Sequence, residues 1–169
     1  MAFLNDAEVA AMLATAGIEF IDRVSGEVQI PLRPNLTAAS SRPEDGRFDG
    51  NAEEVVDVED HDFAHKVNAA WMRMAVDYGL FNKNGEFLIK VDYSWPSPET
   101  AYSWVRVRLR DDWDIAGSGV ELLRSSFATC LTERYVPEFS ALSVDHRVLM
   151  ETTVWGNGTV STIAIRPDF

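Results

Sequence analysis

Two histidines four residues apart, His61 and His65, follow a run in which nine carboxylates lie between Glu44 and Asp62. Only Arg47 answers those carboxylates from within the run. On a helix, a spacing of four puts both imidazoles on one face. With Asp57, Glu59, Asp60 and Asp62 close in sequence, the pair could complete a Zn²⁺ or other divalent site. There is no His-Glu-x-x-His pattern, since Asp62 follows His61 and Ala64 precedes His65. The competing reading is a solvated helix start whose early acids complement the helix dipole. The same acids, Glu53, Glu54, Asp57, Glu59, Asp60 and Asp62, could instead dock a basic protein surface.

A second set of residues carries the opposite charge. Tyr102, Trp104, Arg106, Arg108 and Arg110 alternate with Val105, Val107 and Leu109, the period of a half-buried strand. Aromatic and Arg side chains sharing a sheet face can stack bases and hold phosphates. They can equally bind the chain's own acids. Cross-strand pairing with Glu86 and Asp92 is one such use, and part of the acid run lying against the stripe is another. The strongly negative chain favours the second reading.

Other candidates are weaker. Ala116-Gly117-Ser118-Gly119 opens an expected helix and could cradle an anion, but it lacks both the dinucleotide and the P-loop pattern. Residues 82–91 resemble part of a calcium loop, with Leu80 and Val91 where oxygen ligands belong, so a β-turn is expected. His146 follows Asp145 with no nucleophile placed beside it by any motif. Cys130 falls on an expected buried helix stripe, which reads as an inert thiol.

The elements that must position these groups are legible in outline. The chain has 169 residues, 46% hydrophobic content and a formal charge of −12. That composition describes a single globular domain, residues 1–169, and disfavours binding to nucleic acid or an anionic membrane. No apolar run reaches the roughly 18 residues of a membrane span. The first residues carry Asp6 and Glu8 and no basic start, unlike a secretion signal. A cytoplasmic setting is the expectation, or a virion if the protein is viral.

Asn5-Asp6-Ala7-Glu8 is a capping box for a helix over residues 6–16, stopped at Gly17. Strands are expected over 18–23 and 27–32 as a hairpin about Ser25-Gly26. Residues 34–58 form an irregular acidic loop. A long helix over 59–81 presents Phe63, Val67, Ala70, Trp71, Met74, Tyr78 and Phe81 on one face. Strands follow over 86–93 and 101–110. A second capping box, Ser118 to Glu121, predicts a third helix to Tyr135, and a final hairpin turns at Asn157-Gly158.

The segment GIEFIDRVSGEVQIPLRPN, residues 17–35, resembles the opening strands of hotdog-fold acyl-CoA thioesterases, which also follow a short helix. The resemblance implies an apolar acyl-thioester pocket beside the long helix. The fold expected is α+β: a largely antiparallel sheet, three helices in a repeated helix-strand-strand order, and one layer of helices on the sheet. The function expected is a non-enzymatic acidic interaction or assembly module of inhibitor, immunity, chaperone-like or viral structural type. It would bind a basic partner or itself, and it needs no cofactor. A small-molecule enzyme of hotdog type is the alternative.

Overall fold

The computed structural model describes residues 4–32 and 55–166. Most of the irregular loop, with Glu53 and Glu54, lies outside the described residues. Helix α1 spans Asp6–Ala14 and is capped as its sequence predicts. The Asn5 side chain accepts from the Glu8 N–H at 2.8 Å, and Glu8 Oε1 accepts from the Asn5 N–H at 3.2 Å. Helix α2 spans Phe63–Tyr78 and ends at Gly79 in the left-handed conformation. It starts later than its periodicity suggests because Asp57 and Asp60 turn the chain first. Their carboxylates accept from the Glu59 and Asp62 N–H groups, each at 2.8 Å.

Seven strands form one sheet: β1 (Ile18–Arg23), β2 (Val56–Asp57), β3 (Glu86–Asp92), β4 (Tyr102–Leu109), β5 (Phe139–Leu142), β6 (Leu149–Trp155) and β7 (Thr159–Ile165). Their order is β1-β4-β3-β5-β6-β7-β2, and every pairing is antiparallel. The α+β class and the antiparallel sheet are as expected. Three details differ.

First, β1 does not form a hairpin with residues 27–32. It pairs with β4, where Glu19 lies opposite Arg108 and Asp22 opposite Arg106. Residues 24–32 carry no strand. Val24, Val28 and Leu32 instead cover Leu88, Leu142 and Leu149 on the sheet face away from the helices. Second, the third helix is replaced by two 3-10 turns, Glu121–Leu123 and Phe127–Cys130. The Ser118 hydroxyl donates to the Ile115 carbonyl at 3.2 Å instead of capping a helix. Ser125 then takes Glu138 and the Ala128 N–H as partners, which holds the chain open. The helix-strand-strand repeat therefore fails, and Cys130 is exposed rather than buried. Third, β5 has no counterpart among the expected strands.

Both helices pack on one face of the sheet. Val9 and Leu13 of α1 and Trp71, Met74 and Ala75 of α2 share a core with Phe87, Ile89, Val105, Val107, Ala141, Met150 and Ala164. At its centre the Trp71 ring lies 5.6 to 6.1 Å from Phe87, Phe139, Phe81 and Trp113, in edge or tilted geometry. Among the described residues no helix is long and apolar enough to cross a membrane.

Gly17 does more than end α1. Its φ is +73°, and a Cβ there would meet the Trp113 Cα at 2.5 Å, while its carbonyl accepts from the Arg110 N–H at 2.8 Å. Backbone strain and a clash with backbone add. Gly17→Ala should cost about 3 kcal/mol or more in denaturant unfolding. A loss under about 1 kcal/mol would mean the contact yields freely.

Candidate functional site

The two histidines of the sequence pattern do not share one helix. His61 sits in the turn before α2, while His65 lies in its first turns. Among the described residues the one group able to offer three ligand atoms within 4.8 Å is Asp60, His61 and Asp62, without His65. Asp60 is already engaged: its Oδ2 accepts from Lys66 Nζ at 2.6 Å. That bond, with the Asp62 N–H, holds the Asp60 carboxyl below the usual carboxylate range. Arg134 secures the turn from the other side. Its guanidinium donates to the carbonyls of Val58 (3.2 Å) and Asp60 (2.8 Å), and Nε lies 3.9 Å from Glu59.

The arginine stripe meets acids of its neighbouring strands. Arg106 reaches Asp22 at 2.6 Å and Glu86 at 3.8 Å, and Arg108 reaches Glu19 at 3.1 Å. The Arg108 hydrogen bond pulls the Glu19 carboxyl below its ordinary range, with Arg110 adding to the field. Trp104 packs over Leu88 and Leu142, and Tyr102 lies beneath Lys90, whose Nζ is 4.7 Å from the ring centroid. The glycine loop before the first 3-10 turn is also spoken for. Asn68 Oδ1 accepts from the Ala116 N–H, and Asp114 Oδ1 accepts from the Gly117 N–H and from Asn68. The donors imagined for an anion thus hold the loop itself. Asp145 and His146 belong to a turn built on Ser143, whose hydroxyl donates to Asp145 at 2.6 Å.

A further hollow lies elsewhere among the described residues. A cleft of about 560 Å³ opens where β3, β5 and β6 meet residues 95–102 and the turn at Glu121–Leu123. Pockets for small molecules span roughly 300 to 1,000 Å³. Its lining holds Lys90, Asp92, Glu121, Arg124, Glu138 and Glu151, with Trp95, Tyr102 and Phe139 as aromatic walls. Glu151 is the unusual member. Burial raises its carboxyl above the ordinary range, Glu138 raises it further, and the Ser140 hydrogen bond and the field of Lys90 oppose this. Ser140 Oγ donates to Glu151 Oε2. Glu138 accepts from Ser125 Oγ on one oxygen and from the Val154 N–H on the other, each at 2.9 Å. Asp92 accepts from the Ser94 hydroxyl and from the N–H groups of Ser94 and Ala101.

The sequence does carry a trace of this site. Glu151 is the sole charged residue of β6, flanked by apolar and Thr neighbours. A lone carboxylate inside such a strand signals a buried polar purpose. The partner strand β5 is what cannot be seen in advance, so Ser140 and Glu138 cannot be joined to it. Beside α2, where the hotdog resemblance places an acyl pocket, the hollow between Val56, Val67, Ala70, Val160 and Thr162 has no room for a water.

Comparison with known proteins yields no matching family model, no matching curated protein and no matching solved structure. The class defined by the fold is therefore the description itself: an α+β protein whose seven-stranded antiparallel sheet carries both helices on one face and a polar, aromatic-walled cleft at one end.

A carboxyl raised by burial is favoured in its protonated form in the folded protein. Its contribution to stability is present below its unfolded value, near 4.5, and is lost as pH rises through the higher folded value. Glu151→Gln, which keeps an acceptor for Ser140, should gain stability relative to the parent as pH rises from about 4 to 8. Melting curves across that range measure the gap; a gap that stays constant or closes with pH removes the assignment.

Proposed function

We propose that the protein is a non-enzymatic acidic interaction module that docks a basic protein surface through the turn ahead of α2. The observation that carries this reading is the way Lys66 and Arg134 fix that turn from within. They hold its backbone and Asp60, and they leave Glu59, His61 and Asp62 turned outward, with side-chain exposures of 63%, 88% and 56%. Arg106, Arg108 and Arg124 are meanwhile answered by Glu19, Asp22, Glu86 and Glu121. The excess of negative charge is left for a partner. Val55, ahead of the turn, is exposed at 40% and supplies apolar contact near the acids. The acyl-thioester alternative draws no support from the packing beside α2.

The reading predicts salt-sensitive binding of basic peptides. A Lys/Arg-rich peptide titrated calorimetrically should bind at about 0.05 M salt and lose most of its affinity by about 0.5 M. The double variant Glu59→Gln/Asp62→Asn should bind it about tenfold more weakly, with an unchanged melting temperature. Light scattering run alongside reads self-association. A monomer that ignores the peptide, or binds it equally well in the variant, refutes the reading.

A further inference from the structure

We propose that the cleft between β3, β5, β6 and residues 95–102 is a binding site for a neutral polyhydroxylated ligand of saccharide type. This site is separate from the acidic turn and independent of the reading above.

The charges of the cleft narrow the ligand first. Four carboxylates, Asp92, Glu121, Glu138 and Glu151, face two cations, Lys90 and Arg124. An anionic ligand would be repelled. A cation would need carboxylate oxygens free to receive it, and most are committed. Glu121 grips Arg124 through two bonds of 2.9 and 3.0 Å, and Arg124 also lies 5.0 Å over the Tyr135 ring. Asp92 takes its three donors on Oδ1, and Glu138 takes one donor on each oxygen. Glu151 keeps one oxygen, Oε1, without a hydrogen-bond partner among the described residues, and Oε1 is not sealed from the cleft. The surroundings of Glu151 disfavour its charged form.

Glu151 Oε1 is thus an open acceptor, and Lys90 Nζ supplies donors in the same cleft. Lys90 acts on Glu151 through space, yet the two do not form an ion pair within 4.0 Å. Lys90 Nζ rests over Tyr102 and has donors to spare. A hydroxyl accepts and donates at once, so a pair of ligand hydroxyls fits between Lys90 and Glu151 without burying a new charge. Thr100, Ser126 and Thr153 also line the cleft. Trp95, half-buried at the rim, and Tyr102, 60% exposed, offer ring surface for the C–H face of a sugar. A tight site for a polar neutral ligand combines such walls with a few placed polar groups.

The test uses the full chain labelled with ¹⁵N, titrated separately with a panel of neutral disaccharides, a uronic acid, and the free amines methylamine and lysine. The Trp95 indole N–H, assigned through Trp95→Phe, locates binding to the cleft. At least one neutral disaccharide should shift it at millimolar concentration, and the uronate and amines should not. Lys90→Met and Glu151→Ala should each weaken that binding by about tenfold. Lys90→Met is the second arm should Glu151→Ala fail to fold. Binding by the amines but not the neutral sugars, or no shift with any sugar, overturns the proposal. Binding of the basic peptide at the acidic turn is measured apart from this resonance, so each reading can fail alone.

Discussion

The architecture turns on the packing of one side chain. Trp71 projects from α2 into the sheet and is met by Phe81, Phe87, Trp113 and Phe139, which come from the loop after α2, from β3, from the segment after β4 and from β5. Rings at such distances hold one another at defined angles, so a shift of the helix would have to break several contacts together. The same contact reaches the cleft. Phe139 is both a neighbour of Trp71 and part of the cleft wall, and the next residues, Ser140 and Ala141, put one side chain toward Glu151 and the other into the core. The cleft is thereby an outer surface of the central packing.

The opposite sheet face is closed differently. Residues 24–32 lie across it without strand structure, placing Val24, Val28 and Leu32 on Leu88, Leu142 and Leu149. A segment that covers a face keeps its apolar side chains inward at the expense of ladder hydrogen bonds, and Pro31, with no N–H to give, suits that use. The edge that a hairpin partner would have occupied beside β1 is taken by β4, where opposite charges meet across the strands at Glu19–Arg108 and Asp22–Arg106.

Local signals were legible in the sequence wherever local chemistry decided the outcome. The Asn5–Glu8 capping box, the Trp71 stripe of α2 and the alternation of β4 all depend on residues within one or two turns of each other, whereas the expected helix over 59–81 ran past its actual end at Gly79. Long-range choices were not legible. Whether β1 pairs with residues 27–32 or with β4 depends on charges some eighty positions away. In residues 118–135, two 3-10 turns stand in place of a helix, and Ser125 there bonds to Glu138 beyond the segment. Glu151 showed in the sequence as a solitary charge in β6, but its meaning lay in Ser140 and Lys90, brought to it only by the sheet order. The acids before α2 were plain to see, and what the fold adds is the hold of Lys66 and Arg134 on them.

Trp71 has a further property. Its Nε1 is buried and meets no hydrogen-bond acceptor among the described residues. An indole enclosed among rings and without a hydrogen-bond partner is shielded from water. The other tryptophans described, Trp95, Trp104, Trp113 and Trp155, all retain contact with solvent. Among the described tryptophans Trp71 is thus the one whose surroundings change most between wet and dry when α2 leaves the sheet, a built-in optical reporter of that seating.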